Sequence, residues 1–285
     1  MILALSGASG FIGRALIQKI SEKGWTVRLI DRNSFSMSDE NFLEEKIEGT
    51  DAVINFAGAA VAKRWTPAYK QEILDSRVKT TRKIASAINL ASQKPAVFLS
   101  ASAIGIYDSV NTHAETSTAY ADSFLAKVCT LWEKEAMHAA SSTRMVIFRN
   151  GVVLGAGGGA LAKMHGPFSI GLGGKIGHGN QPVSFIHLHD LIDAIIFTLE
   201  NPSVEGIVNA VAPYPSYNAE FSDKLGKVLG QPAWFTIPAF VMKMMYGEGA
   251  QILLEGQNVL PEKLLNAGYL FKYPSIQNAL VQIYG

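Results

Sequence analysis

Three glycines at a fixed spacing, set directly after a short apolar run, constrain this chain more than any other feature. Ile2-Leu-Ala-Leu-Ser6 leads into Gly7, Gly10 and Gly13, and a helix-like segment, Arg14–Lys23, follows at once. A strand, turn and helix in that order suit a dinucleotide. Gly7 permits a tight turn, and Gly10 lets backbone N–H groups come close to a pyrophosphate. Gly13 lets the helix pack on the strand with its positive end toward the phosphates. Gly7, Ser9, Gly10, Phe11, Ile12 and Gly13 are therefore the expected phosphate contacts. The glycine pattern alone would also fit a strand–helix turn without ligand, but the strand before it and the helix after it favour the nucleotide. A second apolar run, Thr26–Ile30, ends in Asp31-Arg32, where an adenosine ribose would be read. Asp31 would bond both ribose hydroxyls and select NAD, whereas Arg32 would meet a 2′-phosphate and select NADP. A third run, Ala52–Phe56, closes on Asn55-Phe56-Ala57-Gly58, small residues where backbone must pass the adenine-side ribose. Asn55, Ala57 and Gly58 join the cofactor set.

Bulk properties narrow the class. Of 285 residues, 48% are hydrophobic and 17% charged, enough to bury a sizeable core. The net charge of +1 comes without a basic run, so nucleic acid is not an expected partner. The single cysteine, Cys129, excludes an internal disulfide and fits a reducing compartment. The first strand starts at Met1–Ile2, leaving no room for a signal peptide, and apolar stretches such as Leu191–Leu199 are too short to span a bilayer. A soluble, cytoplasmic chain with no membrane partner is expected.

Strand-like runs at Ile2–Ser6, Thr26–Ile30, Ala52–Phe56, Ala96–Ser100, Arg144–Phe148 and Ser184–Ile186 alternate with helical patterns. The helices are expected at Arg14–Lys23, Thr66–Ala91, Phe124–Ser141 and Asp190–Glu200. That alternation predicts an α/β fold, a doubly wound parallel sheet of Rossmann type that gathers ligands at the carboxyl ends of its strands. The expected dinucleotide-binding part comprises residues 1–150 and about 180–205. Residues of about 151–179 and 206–285 form a smaller C-terminal lobe on the substrate side, containing two glycine-dense loops and the methionine-rich stretch Trp234–Tyr246. His187-x-His189-Asp190 is not read as a metal cluster, because further ligands are missing and Asp190 suits a helix N-cap. Arg149 is expected to tie the two parts together through a carboxylate or carbonyl.

The glycine turn, Asn55-Phe-Ala-Gly and Ser100-Ala-Ser-Ala-Ile-Gly-Ile-Tyr107 resemble the extended, epimerase/dehydratase-like short-chain dehydrogenases/reductases. Arg64-Trp65, Ser76-Arg77, Trp132-Glu133, Arg149-x-Gly151-x-x-Leu154-Gly155, Gly173-Gly174 and Ile186-His187-x-x-Asp190 extend the likeness in order. Gly256-Gln257-x-x-Leu260-Pro261-x-Lys263-Leu264, Ala267-Gly268-Tyr269-x-Phe271 and Tyr273-Pro274 then give it specificity. Together they resemble the atypical family of nucleoside-diphosphate-sugar epimerase-like proteins with a C-terminal domain of unknown function, sometimes labelled cell-division inhibitors. The resemblance implies a nicotinamide cofactor, NADP slightly ahead of NAD, and a small-molecule substrate such as a nucleotide-sugar. It also implies a homodimer through the helices at Thr66–Ala91 and Phe124–Ser141. One departure is pronounced. Active members of the superfamily pair a tyrosine with a lysine four residues on, and no such pair occurs here: Phe124 and Val128 stand near the expected positions. Lys127 is one residue out of register, about 100° around the helix. Ser102 is then the expected partner of the substrate oxygen, with Tyr107 beside it, in an oxidoreductase or epimerase with an atypical site. The alternative is a catalytically silent NAD(P)-binding regulator.

Overall fold

The computed structural model describes residues 1–36 and 41–285. In chain order the elements that position the site are β1 (Ile2–Ser6), α1 (Phe11–Glu22), β2 (Thr26–Ile30), β3 (Ala52–Asn55), α2 (Pro67–Leu90), β4 (Val97–Ala103), α3 (Phe124–Met137), β5 (Arg144–Asn150) and β6 (Val152–Leu154). They continue with α4 (Gly159–Ser169), β7 (Phe185–His187), α5 (Leu188–Glu200), β8 (Gly206–Ala210), α6 (Asn218–Val228), α7 (Ala239–Tyr246) and α8 (Ile276–Tyr284). Six strands form one parallel sheet in the order β8-β5-β4-β3-β1-β2.

Both faces of this sheet are covered, and the strand sequences show why. Leu3, Leu5, Ile54, Leu99, Val146 and Phe148 face one way, against Leu16 and Ile20 of α1 and Leu191, Ile195 and Leu199 of α5. Their neighbours Ala4, Val53, Phe98, Met145 and Ile147 face the other way, against Ile84 and Ile88 of α2 and Ala136 of α3. With side chains alternating across a strand, a strand covered on both faces has to be apolar at every position. Each fully buried Leu, Ile or Phe contributes roughly 1.5–3 kcal/mol. Thr66 caps α2 by accepting the Tyr69 N–H at 3.1 Å, with Pro67 at the first helical position, and Ser123 caps α3 through the Ala126 N–H.

Several expectations are corrected. The sixth strand of the sheet is β8, and not the run at Ser184–Ile186. That run, shifted to Phe185–His187, pairs with Val152–Leu154 in a separate two-stranded ladder. The outer edge of β5 is taken by β8, with Asn209 opposite Arg149. Ile-Val-Asn-Ala is too short to stand out as a strand; the neighbouring edge, more than its own pattern, makes it one. The first helix begins at Phe11, three residues before the expected Arg14, and α3 ends at Met137 where i→i−3 bonds at His138 and Ala139 tighten the last turn. Asp190 is not the cap of α5. His187 is, its Nδ1 accepting the His189 N–H at 3.1 Å, while Asp190 lies buried in the first turn.

Short pairings tie the remaining chain to this frame. Phe235–Ile237 runs parallel to Gly174–Ile176, Ser216–Tyr217 antiparallel to Pro182–Val183, and Asn258–Val259 parallel to Thr112–His113. A further core gathers Leu154, Leu161, Phe168, Phe185, Phe221, Leu225, Ile276 and Leu280. No helix among the described residues is long and apolar enough to cross a membrane.

Candidate active site

The glycine turn is built by close backbone contact. Gly7 has φ +78, and a Cβ there would fall 2.6 Å from the Phe56 carbonyl. A Cβ on Gly13 would fall 2.2 Å from the Gly7 oxygen, so α1 meets the turn only because Gly13 has none. The Gly10 N–H bonds to the Gly7 carbonyl at 3.0 Å, and Gly10 caps α1 without any side chain. Nothing from Gly10 therefore covers the first N–H groups of α1, which carry the positive end of the helix dipole. Ser9 and Gly10 are exposed and Ile12 is half-buried, while Gly13 is buried. The Phe11 ring points away from the turn: a Cβ at Gly158 would lie 2.2 Å from it, and Gly155 and Gly159 also press on it. Phe11 thus offers the site its backbone, and the first glycine-dense loop is where its ring is housed.

At the end of β2, Asp31 is exposed and occupied. Its Oδ1 accepts both the backbone N–H and the hydroxyl of Ser34 at 2.9 Å, bonds that hold the carboxyl below the usual carboxylate range. It caps the short helix Arg32–Ser36, at whose start Arg32 is exposed. Beyond β3, Ala57 is half-buried and Gly58 exposed. Asn55 is fully buried and its amide is spent inside the protein. It accepts the Ser6 hydroxyl at 2.5 Å and donates to Thr81 at 2.8 Å; Thr81 in turn accepts the Trp132 indole N–H. That side chain joins β1, β3, α2 and α3.

The two residues expected to carry chemistry lie in one buried network. Ser102, at 2% exposure, donates its hydroxyl to Glu133 Oε1 at 2.6 Å. Arg149 has no exposed surface and clamps Glu133 with two bonds, Nε to Oε1 at 2.8 Å and Nη2 to Oε2 at 2.7 Å. Its Nη1 donates to the Tyr107 hydroxyl at 2.8 Å and its Nη2 to the Tyr120 hydroxyl at 3.2 Å. Tyr107, also without exposed surface, donates to Asn209 Oδ1 at 2.9 Å. Burial pushes the Tyr107 phenol up, against the opposing pull of Arg149. Burial works against the Arg149 charge, but the bonds and charge of Glu133 outweigh it and hold the guanidinium more firmly protonated than usual. Arg149 acts through a carboxylate, as expected, but its side-chain partners Glu133, Tyr107 and Tyr120 all lie within residues 1–150, so it does not itself tie the two parts of the chain together. Glu133 and Tyr120 were not among the expected site residues; the Trp132-Glu133 dipeptide on α3 was the available signal.

Where a tyrosine and lysine would pair, the helix is apolar. Phe124 and the buried Val128 pack with Trp65 and Ile73, and Lys127 turns outward to pair with Asp122 at 2.9 Å. Beside Ser102, Asn150 donates to the Ser102 carbonyl at 3.1 Å, while its own Oδ1 is buried with no hydrogen-bond partner. An open cleft of about 330 Å³ lies elsewhere, lined by Trp65, Pro67, Lys70, Gln71, Leu74, Phe124 and Glu248, and touches neither Ser102 nor the glycine turn. The contacts Arg64 Nη1 to the Met244 carbonyl, Trp65 N–H to the Tyr246 carbonyl and Lys70 to Glu248 bind the loop after β3 and the start of α2 to the C-terminal region.

Residues 3–210 match the NAD dependent epimerase/dehydratase family, and residues 237–283 match a domain of unknown function, DUF1731. The chain is 38% identical to the Arabidopsis thaliana epimerase family protein SDR39U1 homolog, chloroplastic, over 98% of this chain and 86% of that protein. It superposes on the crystal structure of human epimerase family protein SDR39U1 (isoform 2) with NADPH at a TM-score of 0.93 and 35% identity, covering 100% and 99% of the two chains. A nucleoside-diphosphate sugar epimerase from Corynebacterium glutamicum aligns at a TM-score of 0.81 and 28% identity, over 100% of this chain and 58% of that one. With the glycine turn, the parallel sheet and the C-terminal segment all in place, the chain belongs to the NAD dependent epimerase/dehydratase family, in the form that carries DUF1731.

Proposed function

We propose that this protein is an NAD(P)-dependent oxidoreductase or epimerase acting on a small or nucleotide-linked substrate, with Ser102 and Glu133 handling the proton in the absence of a tyrosine–lysine pair. The observation that carries the reading is the backbone-capped start of α1 over Gly7, Gly10 and Gly13, a site made for a diphosphate. Ser9, Phe11 and Ile12 hold that diphosphate through backbone N–H groups, and Gly10, with no side chain, leaves it room to approach. The unpartnered Asn150 Oδ1 supports a donor group of the ligand at the end of β5. NADPH is the favoured cofactor, because Asp31 is engaged as a cap by Ser34 and Arg32 stands beside it. The NADPH of the human relative supports the same choice.

A bound nicotinamide would supply a hydride acceptor or donor. The Ser102 hydroxyl, its proton directed at Glu133, keeps acceptor capacity for a hydrogen bond from a substrate hydroxyl. As the carbon bearing that hydroxyl is oxidised, Ser102 takes the hydroxyl proton and passes its own to Glu133, whose carboxylate is held in place by Arg149. Tyr107 positions Arg149 and is not itself the proton acceptor. The alternative, a silent NAD(P)-binding regulator, is favoured by the apolar packing of Phe124 and Val128.

Fluorescence titration with NADPH and NADH is the first test: NADPH binds more tightly, and Gly10→Val abolishes binding. Turnover against carbonyl and sugar-nucleotide panels is the second. Ser102→Ala is expected to lower kcat by about 100-fold or more with cofactor affinity unchanged. Tight binding with no turnover on any panel favours the regulator, and no binding at all removes both readings.

A further inference from the structure

The loop closed by the antiparallel bridge of Tyr107 to Tyr120 carries a second cluster of polar side chains, none of them in the glycine turn or bonded to Ser102. His113 is fully buried, its ring stacked on that of Tyr107 with centroids 4.5 Å and planes 16° apart. Its Nε2 lies 3.2 Å from both the Asp108 carbonyl and Asp108 Oδ1. The N–H groups of Asn111 and Val110 bond to that carboxylate at 2.9 Å and hold its pKa at about 2, so it accepts and does not donate. With acceptors alone before it, Nε2 carries the ring proton, and Nδ1 receives the Ser117 hydroxyl at 2.8 Å. Ser117 ends a turn closed by its own N–H to the Ala114 carbonyl at 3.1 Å, and is half-buried between exposed Thr116 and Thr118. Among the described residues none accepts the Thr118 N–H, the amide that follows this hydroxyl in the chain. A hydroxyl bonded to an imidazole, itself oriented by a carboxylate, is the arrangement that activates a serine.

We propose that Ser117, His113 and Asp108 form a second reactive centre, a serine nucleophile with its base and orienting carboxylate, which hydrolyses small carboxylic esters. Ser117 Oγ attacks the acyl carbon while its proton moves to His113 Nδ1. The bond from that carbon to the ester oxygen breaks, and the alcohol departs with the proton from Nδ1. Water then attacks the acyl-serine, giving a proton to Nδ1; the carboxylic acid is released and Ser117 regains its hydrogen. The free Thr118 amide supplies a donor for the carbonyl oxygen as it gains charge. Asp108 is a positioning residue, holding the ring so that Nδ1 meets the serine. The threonines on either side leave room for a short acyl chain and offer no apolar wall for a long one. The proposal stands apart from the nucleotide reading, since it uses no residue of the cofactor site.

The test treats the full chain with p-nitrophenyl acetate and, separately, with a fluorophosphonate probe, and maps the adducts by peptide mass. The expected result is a stoichiometric burst of nitrophenolate and an adduct on Ser117, both absent from the urea-denatured chain. Ser117→Ala, a change on an exposed turn, should abolish both. Asp108→Asn should slow acylation by about 100-fold, whereas a merely structural role would lower the melting temperature and leave the acylation rate of the folded protein unchanged. Mapping on the unaltered chain decides the matter even where a variant fails to fold. The proposal is overturned by the absence of a Ser117 adduct, by acetylation that is the same in Ser117→Ala, or by a folded Asp108→Asn that acylates as fast as the wild type.

Discussion

Arg149 leads the fully buried side chains of this molecule in size, and its charge is matched by the Glu133 carboxylate rather than by water. Stripping one partner from a buried pair leaves the other uncompensated, at a cost of about 3–5 kcal/mol. Glu133→Gln and Arg149→Met are each expected to destabilise by about that amount in urea unfolding. The double variant should lose clearly less than the sum, because each single change already forfeits the pair; additive losses would show that the two do not depend on each other. Arg149 was legible in the sequence as a charge at the end of an apolar run. Its partner was not, because Glu133 lies 16 residues away on a helix whose facing is set by packing. Asn55 shows the converse: its place at the end of β3 suggested ribose contact, yet its side chain is engaged by Ser6, Thr81 and the Ala57 N–H.

Among the elements, α5 carries a titrating cap. His187 is buried, with Nδ1 receiving the His189 N–H and the Tyr273 ring centroid 4.1 Å from its own. Burial, aided by His189, lowers it from 6.5 to about 4. The unfolded chain therefore binds a proton that the folded one refuses. The stability tied to this group is complete above about pH 6.5 and drains away as pH falls toward 4, by at most about 1.4 kcal/mol per pH unit. His187→Asn keeps a capping oxygen and cannot titrate in this range. Its denaturation free energy should fall less than that of the wild type between pH 7 and pH 5; parallel curves would place the titration elsewhere. Most elements were visible from apolar runs and glycine punctuation, since strands covered on both faces have to be apolar throughout. β8 was not, because Gly206–Ala210 is a strand by virtue of the open edge of β5.

On the scale of the whole molecule, the C-terminal signature works as a staple. Ser184 bonds to the Gln257 carbonyl and the Val259 N–H, Leu260 bridges His113 and Asn209, and the Lys263 ammonium reaches the Glu205 carbonyl. Asp190 accepts the backbone N–H groups of Lys272 and Tyr273, at 2.8 and 2.9 Å, and its own carbonyl accepts the Tyr269 hydroxyl. Asp190→Ala leaves those N–H groups unmet, at about 1–3 kcal/mol each where buried. It should lower the melting temperature and open the chain beyond Gly268 to limited proteolysis; an unchanged cleavage pattern would show that packing alone retains the segment. By itself the sequence determined the alternation of strands and helices, the glycine turn and the missing tyrosine–lysine pair, since local spacing and chain periodicity encode all three. Tertiary structure alone decided which strand closes the sheet, which carboxylate faces Arg149 and which partners take up the Asn55 amide. Those depend on contacts between residues far apart in the chain, where no local pattern specifies a partner.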